Sequence, residues 1–148
     1  MSVDTAAVET VNQEFYTAIE NADLDRMTEI WAEETGGAQV GCVHPGWPIV
    51  SGRAEVLRSW ALIMANTPYI QFVLTDVRVM ILGDVAVLTC EENILTAGDE
   101  GDASFAAGKV VASNTFVRTP EGWRLWLHHG SPVLQGEDED EEGEEETS

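Results

Sequence analysis

Cations are scarce in this chain: seven Lys and Arg residues stand against 27 Asp and Glu, giving a formal net charge of −20 over 148 residues. A surface that acidic repels phosphate, so neither nucleic acid nor an anionic membrane is an expected partner. Cysteine is scarcer still, with only Cys42 and Cys90, too few for a disulfide framework. No apolar run approaches the roughly 18 residues of a membrane span. The opening "MSVDTAAVET" has no basic segment ahead of an apolar one. An export signal is therefore not expected, and a cytoplasmic location with both thiols reduced is.

What is abundant is acid, and it is unevenly spread. The last thirteen residues, "GEDEDEEGEEETS", carry nine carboxylates, and residues 1–135 hold the other 18 against the seven cations. A block of like charge repels itself and buries nothing, so residues 136–148 are expected to form a disordered, solubilising tail. Residues 1–135 are expected to form one domain around one hydrophobic core.

The apolar pattern changes period along the chain. Val8, Val11, Phe15, Ala18, Ile19 and Ala22 recur at helical spacing. Asp23 can cap a second helix with Leu24, Met27, Ile30 and Trp31 on its inner face, and "ETGG" is expected to end it. Residues 38–44 read as a short strand stopped by Pro45-Gly46. Ser51 or Gly52 opens a third helix bearing Val56, Trp60, Ile63 and Met64, closed by Thr67-Pro68. After Pro68 the period falls to two. "YIQFVLTDVRVMIL", "VAVLTCEENIL", "KVVASNTFVR" and "WRLWLHHGS" read as four long strands joined by Gly83-Asp84, the mobile loop "TAGDEGDAS" and the turn "TPEG". Helices segregated to one face of an antiparallel sheet define an α+β domain. Several strands are apolar on both faces, and a partner subunit is the economical cover for the second face.

Three segments in this order carry a resemblance: "NQEFYTAIENADLDRMTEIWA", "CVHPGWPIVSGRAEVLRSW" and the closing "GWRLWLHHGS". Over about residues 5–133 the chain resembles the nuclear transport factor 2-like superfamily, and within it the SnoaL-like group. That resemblance implies a cystatin-like α+β roll: a curved antiparallel sheet wrapped as a cone around three N-terminal helices. It also implies a deep, mostly apolar pocket and a homodimer. Relatives include ketosteroid isomerase, scytalone dehydratase, polyketide cyclases and the association domain of a calmodulin-dependent kinase. Fold alone does not choose among isomerase, dehydratase, cyclase and non-catalytic association module.

The residues with chemistry are few. Cys42 and His44 share a strand face, yet Cys-x-His is not a recurrent zinc spacing and no CxxC or HxxxH supports it, so no metal is expected. Cys42 reads as packing. His44 precedes Pro45, which holds it extended at the end of its strand, and is a candidate catalytic or pocket residue. Alternation puts Leu88, Cys90, Glu92 and Ile94 on one face, so Glu92 is a candidate for a partly buried acid–base carboxylate, against the alternative of an exposed strand end. Asn114 lies in an otherwise apolar strand and could donate to a ligand oxygen or satisfy a bulge. Trp47 and Trp60 are candidate ligand-binding aromatics; Trp31 and Trp123 read as core, and Trp126 as a dimer contact.

His128 and His129 face opposite ways, and the resemblance's His-x-Ser favours His129 as the inward, catalytic one, with His128 outward near a dimer surface. Asp76 and Asp84 look like strand-end or turn residues, and Tyr16 lies off the main helical stripe. The aspartates of a ketosteroid isomerase are therefore not matched. The expected function is binding of a small apolar or aromatic molecule without a cofactor, with cofactor-independent isomerase, dehydratase or cyclase chemistry through His44, His129 and Glu92. The alternative is a homodimeric association module with a filled cone.

Overall fold

The computed structural model of the protein describes residues 2–35, 38–97 and 105–134. The acidic tail and most of the "TAGDEGDAS" loop lie outside the described residues.

Helix α1 (Val3–Glu20) begins where the Ser2 hydroxyl accepts the Thr5 amide at 3.0 Å, satisfying one of the donors a helix start leaves free. Asp4 in the first turn favours the positive end of the helix dipole. Asn21 ends α1, Ala22 takes a left-handed conformation (φ 51°), and Asp23 caps α2 (Leu24–Ile30) by accepting the Arg26 amide at 3.0 Å. Against the expected end at "ETGG", α2 stops at Ile30. Trp31 is already extended and bridges Leu125, and the Ala32 amide donates to the Leu125 carbonyl at 2.9 Å. A sheet-edge acceptor outcompeted further helix; Gly36 and Gly37 lie outside the described residues.

Strand β1 (Gly41–Val43) is followed by a turn in which Pro45 precedes Gly46 (φ 82°) and the Trp47 amide donates to the His44 carbonyl at 2.9 Å. Pro45 lies against Gly130: a Cβ there would meet Pro45 Cγ at 3.3 Å and Val110 Cγ1 at 3.2 Å, so glycine lets the turn sit close on the strand that carries it. A two-residue strand β2 (Val50–Ser51), too short to announce itself by pattern, pairs back on β1. Helix α3 (Arg53–Ala65) starts after Gly52 (φ 94°). The Glu34 carboxylate accepts its first amide, Arg53, at 3.0 Å, and the Val40 amide at 2.9 Å.

The long strands are β3 (Ile70–Leu82), β4 (Val85–Ala97), β5 (Phe105–Thr119) and β6 (Gly122–Pro132). The sheet runs β2-β1-β6-β5-β4-β3, antiparallel except where β1 lies parallel to β6. The three helices pack on one face of this curved, open sheet, which makes an α+β roll.

Two bulges shift the phase of the alternation. Thr75 pairs with Glu91 but Arg78 with Thr89, so β3 carries one extra residue around Asp76 (φ 53°). Asp76 is thus a mid-strand bulge residue, correcting the turn expected there. Thr115 pairs with Leu127 but Phe116 with Leu125, which makes Trp126 the extra residue of β6. A bulge exchanges the faces of everything beyond it. Trp123 and Leu125 point inward before it; His128 and Gly130 do so after it.

Candidate functional site

The core enclosed by helices and sheet is not uniformly apolar. Phe15, Tyr16, Trp31, Trp60, Leu88, Phe116 and Leu125 pack there with Asn12, His44, Ser59, Glu92, Asn114 and His128, all of them buried. Polar side chains survive in such a place only when hydrogen-bonded, and these form two connected sets.

The first set runs from β6 to β4. Asn114 Oδ1 carries no hydrogen, so His128 Nδ1 must donate to it across 2.6 Å. Asn114 Nδ2 donates to Asn12 Oδ1 at 2.8 Å and to the Tyr16 hydroxyl at 3.1 Å. With its oxygen accepting there, Tyr16 donates to Glu92 Oε2 at 2.5 Å. Every bond along His128, Asn114, Tyr16 and Glu92 points toward the carboxylate, a cooperative chain. The acceptors at its two ends are the Glu92 carboxylate and, with Nδ1 carrying the proton, the Nε2 lone pair of His128.

Burial decides the charges. Glu92, 3% exposed, has its pKa raised to about 7 by desolvation, with the Tyr16 bond pulling the other way. Desolvation and Glu92 together hold the Tyr16 phenol well above its ordinary range. His128 is pushed down to about 3, by burial first and then by His44 and His129. Both Tyr16 and His128 are therefore neutral around pH 7, and Glu92 is poised between its two forms.

The second set belongs to β1 and α3. The Ser59 hydroxyl donates to the Val56 carbonyl at 2.7 Å, so His44 Nε2 donates to Ser59 Oγ at 2.9 Å and Nδ1 keeps the lone pair. Burial lowers His44 to about 4. Cys42 Sγ lies 3.6 Å from one ring nitrogen of His44 and 3.8 Å from the other. Burial raises its thiol far above the thiolate range, so Cys42 is packing rather than a nucleophile.

Aromatic rings link the sets to the surface. Trp47, 38% exposed, meets the His44 ring edge-on at 4.7 Å; His44 meets Trp60 at 4.6 Å; Trp60 meets Phe15 at 5.4 Å and His128 at 5.9 Å. Phe15 in turn meets Tyr16 at 4.9 Å and His128 at 5.0 Å.

The structure thus brings together four of the six expected site residues in the core, His44, Glu92, Trp60 and Asn114, with Trp47 exposed at the rim. It separates the sixth. His129 is exposed on the outer sheet face, beside a cleft of about 380 Å³ that Thr89, Glu91, Ser113 and Ser131 also line. The bulge at Trp126 corrects the inward reading of His129 and the outward one of His128. His44 pairs with Ser59 and not with Glu92. Tyr16, Asn12 and Ser59 were missed by sequence reasoning. The signal for the first two was present: Val8, Asn12, Tyr16 and Ile19 follow helical spacing, with the polar Asn12 in the middle of the stripe.

Three clefts among the described residues lie outside this polar centre: the one beside His129, one of about 320 Å³ between α1 and α2, and one of about 740 Å³ against the β5–β6 hairpin. No helix among the described residues is long and apolar enough to cross a membrane.

Three helices on a curved six-stranded sheet, with an aromatic and polar cluster between them, define a cystatin-like α+β roll. The chain belongs to the SnoaL-like domain family, whose model matches residues 8–135. It is 49% identical to a Streptomyces avermitilis protein named a "putative dehydratase" of the nuclear transport factor 2-like family. That likeness covers 88% of this chain and 97% of the other, with a TM-score of 0.82. A second solved structure is named as a "putative" calcium/calmodulin-dependent protein kinase type II association domain from Thiobacillus denitrificans. It is 29% identical over 85% of this chain and 94% of its own, with a TM-score of 0.71. The Arabidopsis thaliana F-box protein SKIP8 is 29% identical over 130 residues, 88% of this chain; the chain spans about half, 51%, of that protein's length.

Proposed function

We propose that this protein binds a small, largely apolar molecule, aromatic or polyketide-like, inside the cone and moves a proton on it with Glu92. The observation that carries the reading is the buried Tyr16–Glu92 pair, a carboxyl raised to about 7 among aromatic walls. A general base or acid works best with a pKa near the working pH, and Glu92 has one. As base it takes a proton from carbon next to a carbonyl, or returns one in a dehydration or cyclisation. With Nδ1 of His44 and Nε2 of His128 left as lone pairs, the two neutral rings accept hydrogen bonds from a ligand hydroxyl and carry no charge into the cone. Trp47 and Trp60 flank the approach, Trp47 as a lid. No cofactor or metal is invoked. The likeness to a protein named a dehydratase supports this class of chemistry. Two free thiols, Cys42 and Cys90, fit a reducing cytoplasm.

A thermal-shift screen of small aromatic and polyketide-like compounds tests binding, with His44→Ala and Glu92→Gln as controls. Hydrogen–deuterium exchange next to the carbonyl of a bound ketone, followed by NMR, tests proton transfer. Binding retained with exchange lost in Glu92→Gln is the expected pattern. Exchange unaffected by that substitution overturns the role of Glu92.

A second reading, a non-catalytic homodimeric association module, is favoured by the packed core and by the outer sheet face. The three clefts lie away from Glu92, and Val73, Val77, Met80 and Val111 are exposed on β3 and β5. Light scattering on wild type and Val111→Glu tests the dimer. No hit in the ligand screen together with a dimer lost in Val111→Glu would favour this reading over the first.

A further inference from the structure

The arginines carry an observation that the cone does not explain. Of the seven cations, five are ion-paired: Arg26 with Glu14 and Glu29, Arg58 with Glu55, Arg78 with Asp76, Lys109 with Glu91, and Arg118 with Asp4 and Asp84. Among the described residues the guanidiniums of Arg53 and Arg124 form no ion pair, in a chain where acids outnumber cations almost fourfold. Both line the same cleft of about 740 Å³, between the end of α2, the start of α3 and the β5–β6 hairpin.

The partners these two arginines do have are backbone carbonyls: Arg53 Nη2 donates to Thr28 at 2.6 Å, and Arg124 Nη1 to Trp123 at 3.0 Å. Arg53 Nη1 is buried without an acceptor, and so is the indole Nε1 of Trp31; both residues line this cleft. Buried donors without acceptors are rare enough in native structures to call for an explanation such as an absent ion or ligand. Glu34, beside Arg53 in space, is turned to the backbone: its Oε2 accepts the Val40 and Arg53 amides. The cleft lies outside the cone, because Arg124 and Trp126 alternate with the core-facing Trp123 and Leu125.

We propose that this cleft is a second ligand site, for a flat monocarboxylate. The carboxylate takes the fork of charged donors that Arg53 and Arg124 present. Trp126 and Val117 supply the apolar surface for the flat body, and Trp31 Nε1 is the further donor in the wall. Glu33 and Glu121, which also line the cleft, offset the two guanidiniums, so the single charge of a monocarboxylate is accommodated more easily than the two charges of a dianion.

The test uses the full chain, ¹⁵N-labelled, titrated with sodium 1-naphthoate. The neutral 1-naphthamide and the dianionic 1-naphthyl phosphate serve as the other arms. Naphthoate is expected to move the indole N–H signals of Trp31 and Trp126 and leave that of Trp60 in place, and to bind more tightly than either of the others. Arg124→Gln weakens it about tenfold, the size of a charge-assisted hydrogen bond. Arg53→Gln does the same and serves as the second variant if the first misfolds. Equal binding of naphthoate and naphthamide, an unchanged affinity in both variants, movement of Trp60 alone, or no binding up to about 10 mM overturns the proposal.

Discussion

The Tyr16 hydroxyl donates to Glu92 Oε2 across 2.5 Å, tying α1 to β4 inside the core. Desolvation raises the carboxyl, and this bond, made to its ionised form, limits the rise. In Tyr16→Phe the limit is gone. The Glu92 pKa should then climb above about 7, read from the carboxyl ¹³C shift in an NMR titration. A pKa that stays put or falls would mean that the phenol does not stabilise the carboxylate.

The same carboxyl gives the fold a pH dependence of unusual sign. Its folded pKa of about 7 lies above the ordinary 4.5, so between those values the unfolded chain has already released the proton that the folded chain still holds. Stability from Glu92 therefore falls as pH rises from 4.5 to about 7, by on the order of 3 kcal/mol at about 1.4 kcal/mol per unit. Urea denaturation of wild type and Glu92→Gln across this range should show the variant gaining on the wild type as pH rises. Parallel profiles would place Glu92 in water.

His44 and His128 act in the opposite sense. Their folded values, about 4 and about 3, lie below the ordinary 6.5, so the unfolded chain takes up protons that the folded chain refuses. Stability is full above 6.5 and is lost as pH falls toward 4 and then 3. With Glu92→Gln removing the opposing slope, acid unfolding of that variant should be steeper between pH 6.5 and 4.5 than in the wild type.

His128 and His129 separate cleanly by substitution. His128→Ala strips the donor from Asn114 Oδ1 and leaves a hole beside Phe15 and Trp60, for a loss of about 2–4 kcal/mol. His129→Ala, on the exposed face, should stay within about 0.5 kcal/mol. Chemical denaturation of the two variants checks this, and a reversed order would contradict the register of β6.

That pair marks the boundary of what a pattern can disclose. Alternation carried Leu88, Cys90 and Glu92 correctly to one face of β4, because β4 pairs with β5 without a register shift. On β6 alternation rightly set His128 and His129 on opposite faces, but the choice of His129 as the inward one came from the resemblance's His-x-Ser. One extra residue at Trp126, which leaves no trace in the apolar count, exchanges the two faces beyond it and turns His128 inward. Three helices and four long strands were legible from period and turn residues. Strand β2 and the early end of α2 were not, since both depend on partners distant in sequence. Tyr16 fell outside the stripe drawn through Val8, Val11 and Phe15. The buried face of α1 is wider than that stripe: beside Val8, Phe15, Ala18 and Ile19 it takes in Asn12 and Tyr16, whose polar groups meet Asn114 and Glu92 on strands far along the chain.

Trp47 is the outermost ring of a ladder that ends at His128, and its place at the rim gives the proposed lid a direct readout. The Trp60 indole N–H is buried without a partner, so its exchange with solvent reports how often the rim opens. Trp47→Ala removes a half-exposed side chain and should change stability by no more than about 1 kcal/mol. It should nevertheless speed exchange at Trp60 several-fold, measured by NMR in D₂O. Trp31, whose N–H is also buried and unpartnered, stands behind a different wall and should keep its rate. If both indoles accelerate together, the variant has loosened the whole core. If neither does, solvent reaches Trp60 by a route that Trp47 does not cover.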